Sequence, residues 1–222
     1  MTFLSLCQRL RQEAGISGSG PSTVIGQTGE LGRIVSWVLS AYEEIHNLHS
    51  TWRFLQTDFS FSTVASTQNY TKTTLSLTNL GSWKTDDVRI YSAVADESYL
   101  TYFPWDKFKE LYLYGSQRTQ TERPTIFSIK YDDSISLWAI PDAVYTVNGE
   151  YFKTAQTMTL DVSEPLIPTA YQMAIVWKGL MLYGAYNSVP DAYAHGNNEY
   201  KNVLRKLEFS QLDRMTYGSP LA

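Results

Sequence analysis

The sequence predicts an α+β protein: a helical bundle made from its N- and C-terminal helices, with an antiparallel β-rich subdomain inserted between them. Three observations predict it. Apolar residues recur at helical spacing near both ends of the chain. In the middle the period falls to two, and turn residues interrupt that middle at short intervals. Residues 1–50 and 165–214 are assigned to the bundle, 51–164 to the inserted subdomain with a short helix near 105–114, and 215–222 to a C-terminal tail. A chain of 222 residues buries roughly 70% of its unfolded surface on folding, so this core needs no metal or disulfide staple.

Taken in order, residues 2–14 read as the first helix. Phe3, Leu6, Cys7 and Leu10 fall at i, i+3, i+4 and i+7, Thr2 can cap the start and Gly15 can end it. A Gly/Ser-rich stretch, 16–28, follows as a flexible inter-helix loop. The second helix spans 29–48, where Leu31, Val35, Val38, Tyr42, Ile45 and His49 alternate spacings of four and three, and Trp37 and Ala41 widen the apolar surface. From Trp52 the period is two. Phe59-Ser-Phe61, Leu75-Ser-Leu77 and Val88-Arg-Ile90 read as half-buried strands with hydroxyls on the open face. Pro104 opens the short helix, which Gly115 closes. Two hairpins are predicted next. One joins 126–131 to 135–140 through Asp132-Asp133. The other joins 144–147 to 150–153 through Asn148-Gly149, a pair suited to a turn with positive φ at both positions.

The last part returns to helix. Residues 169–186 carry Ala170, Met173, Ala174, Trp177, Met181 and Gly184 at helical spacing. This segment is apolar almost all round, so it is either the central helix or buried on two sides. Ser188 and Pro190 offer a cap and a first-turn proline for a final helix with a Tyr193, Tyr200, Val203, Leu204, Leu207 stripe, weakened by Gly196-Asn197-Asn198.

Composition narrows the function. Charged residues are 18% of the chain, against about 25% in ordinary soluble proteins. Aromatics are 14%, with 16 Tyr and 6 Trp. Few charges and many amphipathic rings suit a surface partly covered by other subunits; a well-packed monomer with a wide sheet is the alternative. A net charge of −4 argues against nucleic-acid binding by bulk charge, and the only adjacent basic pair is Arg205-Lys206. Cys7 is the sole cysteine and reads as a small buried hydrophobe. No signal peptide is visible, and 170–186 is short for a membrane span and carries Gln172 and Lys178. A soluble, cytoplasmically made protein is expected.

Catalytic and ligand motifs fail one by one. The loop from Gly15 to Thr23 has no Gly-Lys pair and follows a helix, so it is no phosphate loop, and Thr23 stands where a dinucleotide fingerprint needs its third glycine. Ser19 occupies the place of the second glycine of a nucleophile elbow around Ser17. Glu43, His46 and His49 share a helix face, but a di-iron bundle needs a second such pair, and the only other histidine is His195. Glu43-Glu44, Asp86-Asp87 and Asp132-Asp133 are adjacent acids, which point apart and do not flank a cleft. No catalytic residue, cofactor site or metal ligand is nominated.

One phrase carries a resemblance. Ser17-Gly-Ser-Gly-Pro-Ser-Thr-Val-Ile-Gly-Gln-Thr-Gly-Glu30 followed by Arg33-Ile-Val-Ser-Trp37, with Leu6-Cys-Gln-Arg-Leu10 before it, resembles the N-termini of virion structural proteins of tailed bacteriophages. The order of elements resembles the head–tail adaptor, or connector, proteins of the neck. The resemblance implies a virion protein, assembled in the host cytoplasm, that binds itself in a ring, commonly dodecameric, beneath the portal protein. That ring would meet a tail or nozzle protein on its other side. DNA would pass through without sequence-specific binding, and no membrane is involved. It implies further that a C-terminal segment bearing Met215, Tyr217, Pro220 and Leu221 docks on the portal. It also makes Trp37, Tyr42, Trp177, Met181 and Tyr183 candidates for the ring interface. It brings no catalytic motif. Two other readings stay open: another virion component (tail-completion, fibre-base or minor capsid protein), and a carbohydrate-active enzyme working through exposed Trp and Tyr.

Overall fold

The structure, a computed structural model, describes residues 1–213. Its helices are α1 (Phe3–Glu13), α2 (Gly29–Leu48), α3 (Trp105–Tyr112), α4 (Met173–Tyr186) and α5 (Pro190–Gln211). Its strands are β1 (Gln56–Ser62), β2 (Asn69–Tyr70), β3 (Leu80–Tyr91), β4 (Ser98–Tyr99), β5 (Thr101–Tyr102), β6 (Ile126–Ile129), β7 (Ile135–Trp138) and β8 (Thr146–Lys153). Two compact units result. One is Met1–Leu55 with the described residues from Ala155 onward, and the other is Gln56–Thr154. The fold is α+β, with helices at both ends of the chain.

In the helical unit, local sequence sets the helix ends. The Thr2 hydroxyl accepts from Ser5 N–H at 3.3 Å, a cap worth about 1 kcal/mol. Past α1, Gly15 takes φ +65°, the left-handed conformation that lets a chain leave a helix without a Cβ clash. α4 is the hub, packing against α1, α2 and α5. Its sequence explains this: Ala174, Ile175, Val176, Gly179 and Leu180 are all buried, so it packs on more than one side. α1 also packs on α2, whereas α1 and α5 share α4 and have no substantial packing on each other.

Glycines set the closeness of these helices. A Cβ on Gly179 would come 2.9 Å from Leu10 Cδ2, and one on Gly196 would come 2.9 Å from the Trp177 carbonyl oxygen. α5 therefore continues unbroken through Gly196-Asn197-Asn198, since packing on α4 outweighs the low helix propensity. The N-cap of α5 is Val189 with Pro190 in the first turn; Ser188 instead turns the chain with φ 56°. The 16–28 loop is fastened, not loose. Arg11 donates from its guanidinium to the carbonyls of Ser17 and Gly20, and Asp161 Oδ1 accepts from Thr23 Oγ1 at 3.0 Å and Val24 N–H at 2.6 Å.

In the other unit, two four-stranded sheets, ordered β1-β8-β3-β4 and β2-β7-β6-β5, share one core built on Phe59, Tyr70, Ile90, Phe127, Leu137 and Val147. The sheets are antiparallel except for β5–β6, which is parallel, so the subdomain is mixed at that edge. The Asp132-Asp133 hairpin forms as predicted between β6 and β7, with Asp133 at φ 62°. The Asn148-Gly149 hairpin does not. β8 runs straight through both residues as the central strand between β1 and β3, pairing Phe59 with Gly149. The glycine is needed because the Phe59 ring lies over it: a Cβ would meet Phe59 Cε1 at 2.9 Å and Val88 Cγ2 at 3.1 Å. Leu75-Ser-Leu77 is likewise no strand. It closes a helical turn, with Leu75 N–H donating to Thr71 O and Leu77 N–H to Lys72 O. Its leucines still reach the core, which explains their alternation.

Candidate functional site

The five ring-interface candidates fall in the helical unit and divide by burial. Tyr42 is 0% exposed. Its hydroxyl accepts from Leu166 N–H at 3.2 Å, and burial raises its pKa. It is a core residue and cannot offer surface to a neighbour, a correction to the sequence reading. Its place in an apolar stripe is the same for core and contact residues, so spacing could not separate the two.

Trp37, Trp177, Met181 and Tyr183 are half-buried, each leaving part of its side chain at the surface. They line two seams of α4. Toward α2, Trp37 meets Tyr183 edge-on with centroids 5.8 Å apart and Tyr186 at 5.7 Å, and Arg33 sits 4.6 Å above the Tyr186 ring. Each aromatic pair contributes about 0.5–1.5 kcal/mol beyond its buried area. Toward α5, Trp177 meets His195 edge-on at 5.3 Å, and Met181 lies against Gly196. Lys178 completes the α2 seam with an ion pair to Glu44 at 2.6 Å. The other candidates, Met215, Tyr217, Pro220 and Leu221, lie outside the described residues.

The side chains weighed for chemistry separate in space or in protonation. Glu43 is exposed and His46 buried, while His49 pairs with Glu208 on α5 at 3.2 Å. Among the described residues no three His, Cys, Asp or Glu side chains group to hold a metal ion. Cys7 is 0% exposed, and burial, with Asp161 nearby, pushes its thiol up to about 12, as a core hydrophobe behaves. Asp132 turns back on its own hairpin, where Ser134 Oγ donates to it at 2.5 Å and holds its carboxyl below the ordinary range.

The β-rich unit has an open cleft of about 510 Å³ whose lining includes Asp58, Asp87, Glu97 and Glu150. Three of these four acids are tied to cations. Lys84 reaches Glu150 at 2.5 Å, and Arg89 reaches Asp87 at 2.8 Å and Glu97 at 3.7 Å. The Lys84 hydrogen bond holds Glu150 below its usual pKa, the reverse of what a general acid requires. The more unusual feature of this unit is exposed aromatic surface: Tyr99 is 63%, Tyr114 62% and Tyr131 80% exposed. No helix among the described residues is long and apolar enough to cross a membrane.

The model of one protein family, described as SU10 adaptor protein, matches the chain over residues 1–222. No curated protein matches the sequence.

Proposed function

Because the chain belongs to the SU10 adaptor protein family, we propose that it is the head-to-tail adaptor of a tailed bacteriophage, forming a ring below the portal. The ring extends the exit channel for DNA and gives the tail its platform, so the protein acts by contact and carries out no chemistry. The observation that carries this reading is the family match over the whole chain, which covers the helical unit and the inserted β-rich unit together.

Physical features support it. A ring subunit presents different surfaces to its two neighbours, and the contact repeats until it closes. Surface aromatics and a low charge content suit such faces, since Tyr and Trp bury large areas while keeping a polar group. A channel must let DNA slide, and a net charge of −4 avoids gripping its phosphates. Residues 215–222 are assigned to the portal.

Native mass spectrometry of the chain with and without purified portal tests the proposal. A defined number of copies on the portal is expected. A chain ending at Arg214 should keep its circular dichroism spectrum and lose portal binding; unchanged binding would refute the tail assignment, and a chain that never joins the portal would refute the adaptor role.

A further inference from the structure

We infer that neighbouring copies of this chain join through a groove on α5 of one copy and a projecting turn at residues 160–164 of the next. This contact rests on the ring reading above and names the surfaces that build it.

The groove, about 680 Å³ in volume, has apolar walls from Tyr171, Val203 and Phe209. Arg205 and Lys206 line it with one acid, Glu199. Both cations are exposed, and no carboxylate among the described residues pairs with either of them. A groove that is apolar inside and cationic at its rim fits an apolar segment that carries a carboxylate.

The turn at residues 160–164 of the helical unit is such a segment. Leu160 is 54% and Val162 73% exposed, and Glu164 beside them is exposed as well. The turn is closed by Ser163 N–H donating to Leu160 O at 2.9 Å and by Leu160 N–H donating to Ser163 Oγ at 3.1 Å. It is fastened to the start of α1, where Phe3 N–H donates to Ser163 O at 2.7 Å and Leu4 N–H to Asp161 O at 3.2 Å. The inward Asp161 carboxylate holds Thr23 and Val24. Two bare aliphatic side chains therefore stand on a turn held from three sides. A pre-ordered apolar projection loses little entropy on binding, which is what an interface anchor needs.

Position fits a head-to-tail contact. The Met1 amino group donates to Gln172 Oε1 at 2.5 Å, which brings the start of α1, and with it the turn, to the start of α4. The helical turn bearing Tyr171 packs on α5 at that same end. Since α1 and α5 each pack on α4 without substantial packing on each other, the turn fastened to α1 and the groove on α5 are separate surfaces of the unit. The turn of one copy is thus placed to enter the groove of the next. Two different complementary surfaces on one subunit make a heterologous contact, which closes as a ring when the rotation allows.

The test uses the full chain with its portal, in variants Val162→Cys and Val203→Cys joined by a short bismaleimide; wild type, whose Cys7 is buried, is the blank. A mixture of the two variants should give a cross-linked pair, each variant alone none, and a chain carrying both a ladder. Independently, Glu164→Lys should weaken assembly about tenfold or more, and Arg205→Glu with Lys206→Glu in the same chain should restore it. If wild type assembles with its portal but the mixture stays uncrosslinked and Glu164→Lys assembles normally, the contact is wrong and the ring reading stands. If wild type remains single with and without portal, the ring reading falls and this contact with it.

Discussion

Replacing His46 by phenylalanine should remove an acid sensitivity built into the helical unit. His46 is 3% exposed, and neither ring nitrogen has a hydrogen-bond partner among the described residues. Its imidazole lies between two rings, Tyr42 at 4.4 Å and Phe54 at 5.5 Å. Burial lowers its pKa from 6.5 to about 4. The unfolded chain, with an ordinary imidazole, takes up its proton first as the pH falls. The stability tied to neutral His46 is therefore intact above pH 6.5 and lost progressively down to about pH 4. At 1.36 kcal/mol per pH unit, that loss is about 3 kcal/mol. The phenyl ring keeps the aromatic packing and has no proton to bind.

The assay is denaturant unfolding, followed by the far-UV helical signal, at several pH values between 7 and 4. Wild type should lose about 3 kcal/mol more than His46→Phe across that range. The variant at pH 7 should match wild type or exceed it by about 1 kcal/mol, since it removes two buried, unpartnered nitrogens. Parallel pH profiles for the two proteins, or an NMR titration in which the His46 ring protonates near pH 6.5, would refute the reasoning.

Two further substitutions test the packing glycines. Gly149→Val should destabilise the β-rich unit by about 1–3 kcal/mol, read as a lower melting temperature. Strand propensity alone predicts a gain, but the new Cβ meets the Phe59 ring at 2.9 Å. Gly196→Ala should likewise lower the stability of the helical unit by about 1–3 kcal/mol in urea titration. On an exposed helix the same change would add about 0.5–1 kcal/mol, so the sign decides whether the 2.9 Å approach to the Trp177 carbonyl controls this position.

What the sequence determined by itself is what depends on near neighbours along the chain. Helix spacing at i, i+3 and i+4 marked α1 and α2, Thr2 and Gly15 marked the ends of α1, and the all-round apolarity of 169–186 marked α4 as either central or buried on two sides. The failure of the phosphate-loop and nucleophile motifs was equally local, because those motifs are defined by spacing. Tertiary structure decided the positions where local preference and long-range packing compete. Asn148-Gly149 is a turn signal among its neighbours, yet a strand flanked on both sides gains a ladder of hydrogen bonds, and Gly149 makes room for Phe59. Gly196 reads as a weak point in a helix and is the place where α5 touches α4. Tyr42 and Trp37 belong to one stripe by spacing, but only the packed helices show that Tyr42 is sealed inside while Trp37 stays half-open. The same holds for the candidate contact surface. Leu160 and Val162 alternate with polar residues as buried strand positions do, and their exposure comes from backbone bonds to α1 and a carboxylate bond to Val24, residues far away in the chain. Sequence spacing records which residues can share a face; which faces remain open is settled by what packs against them.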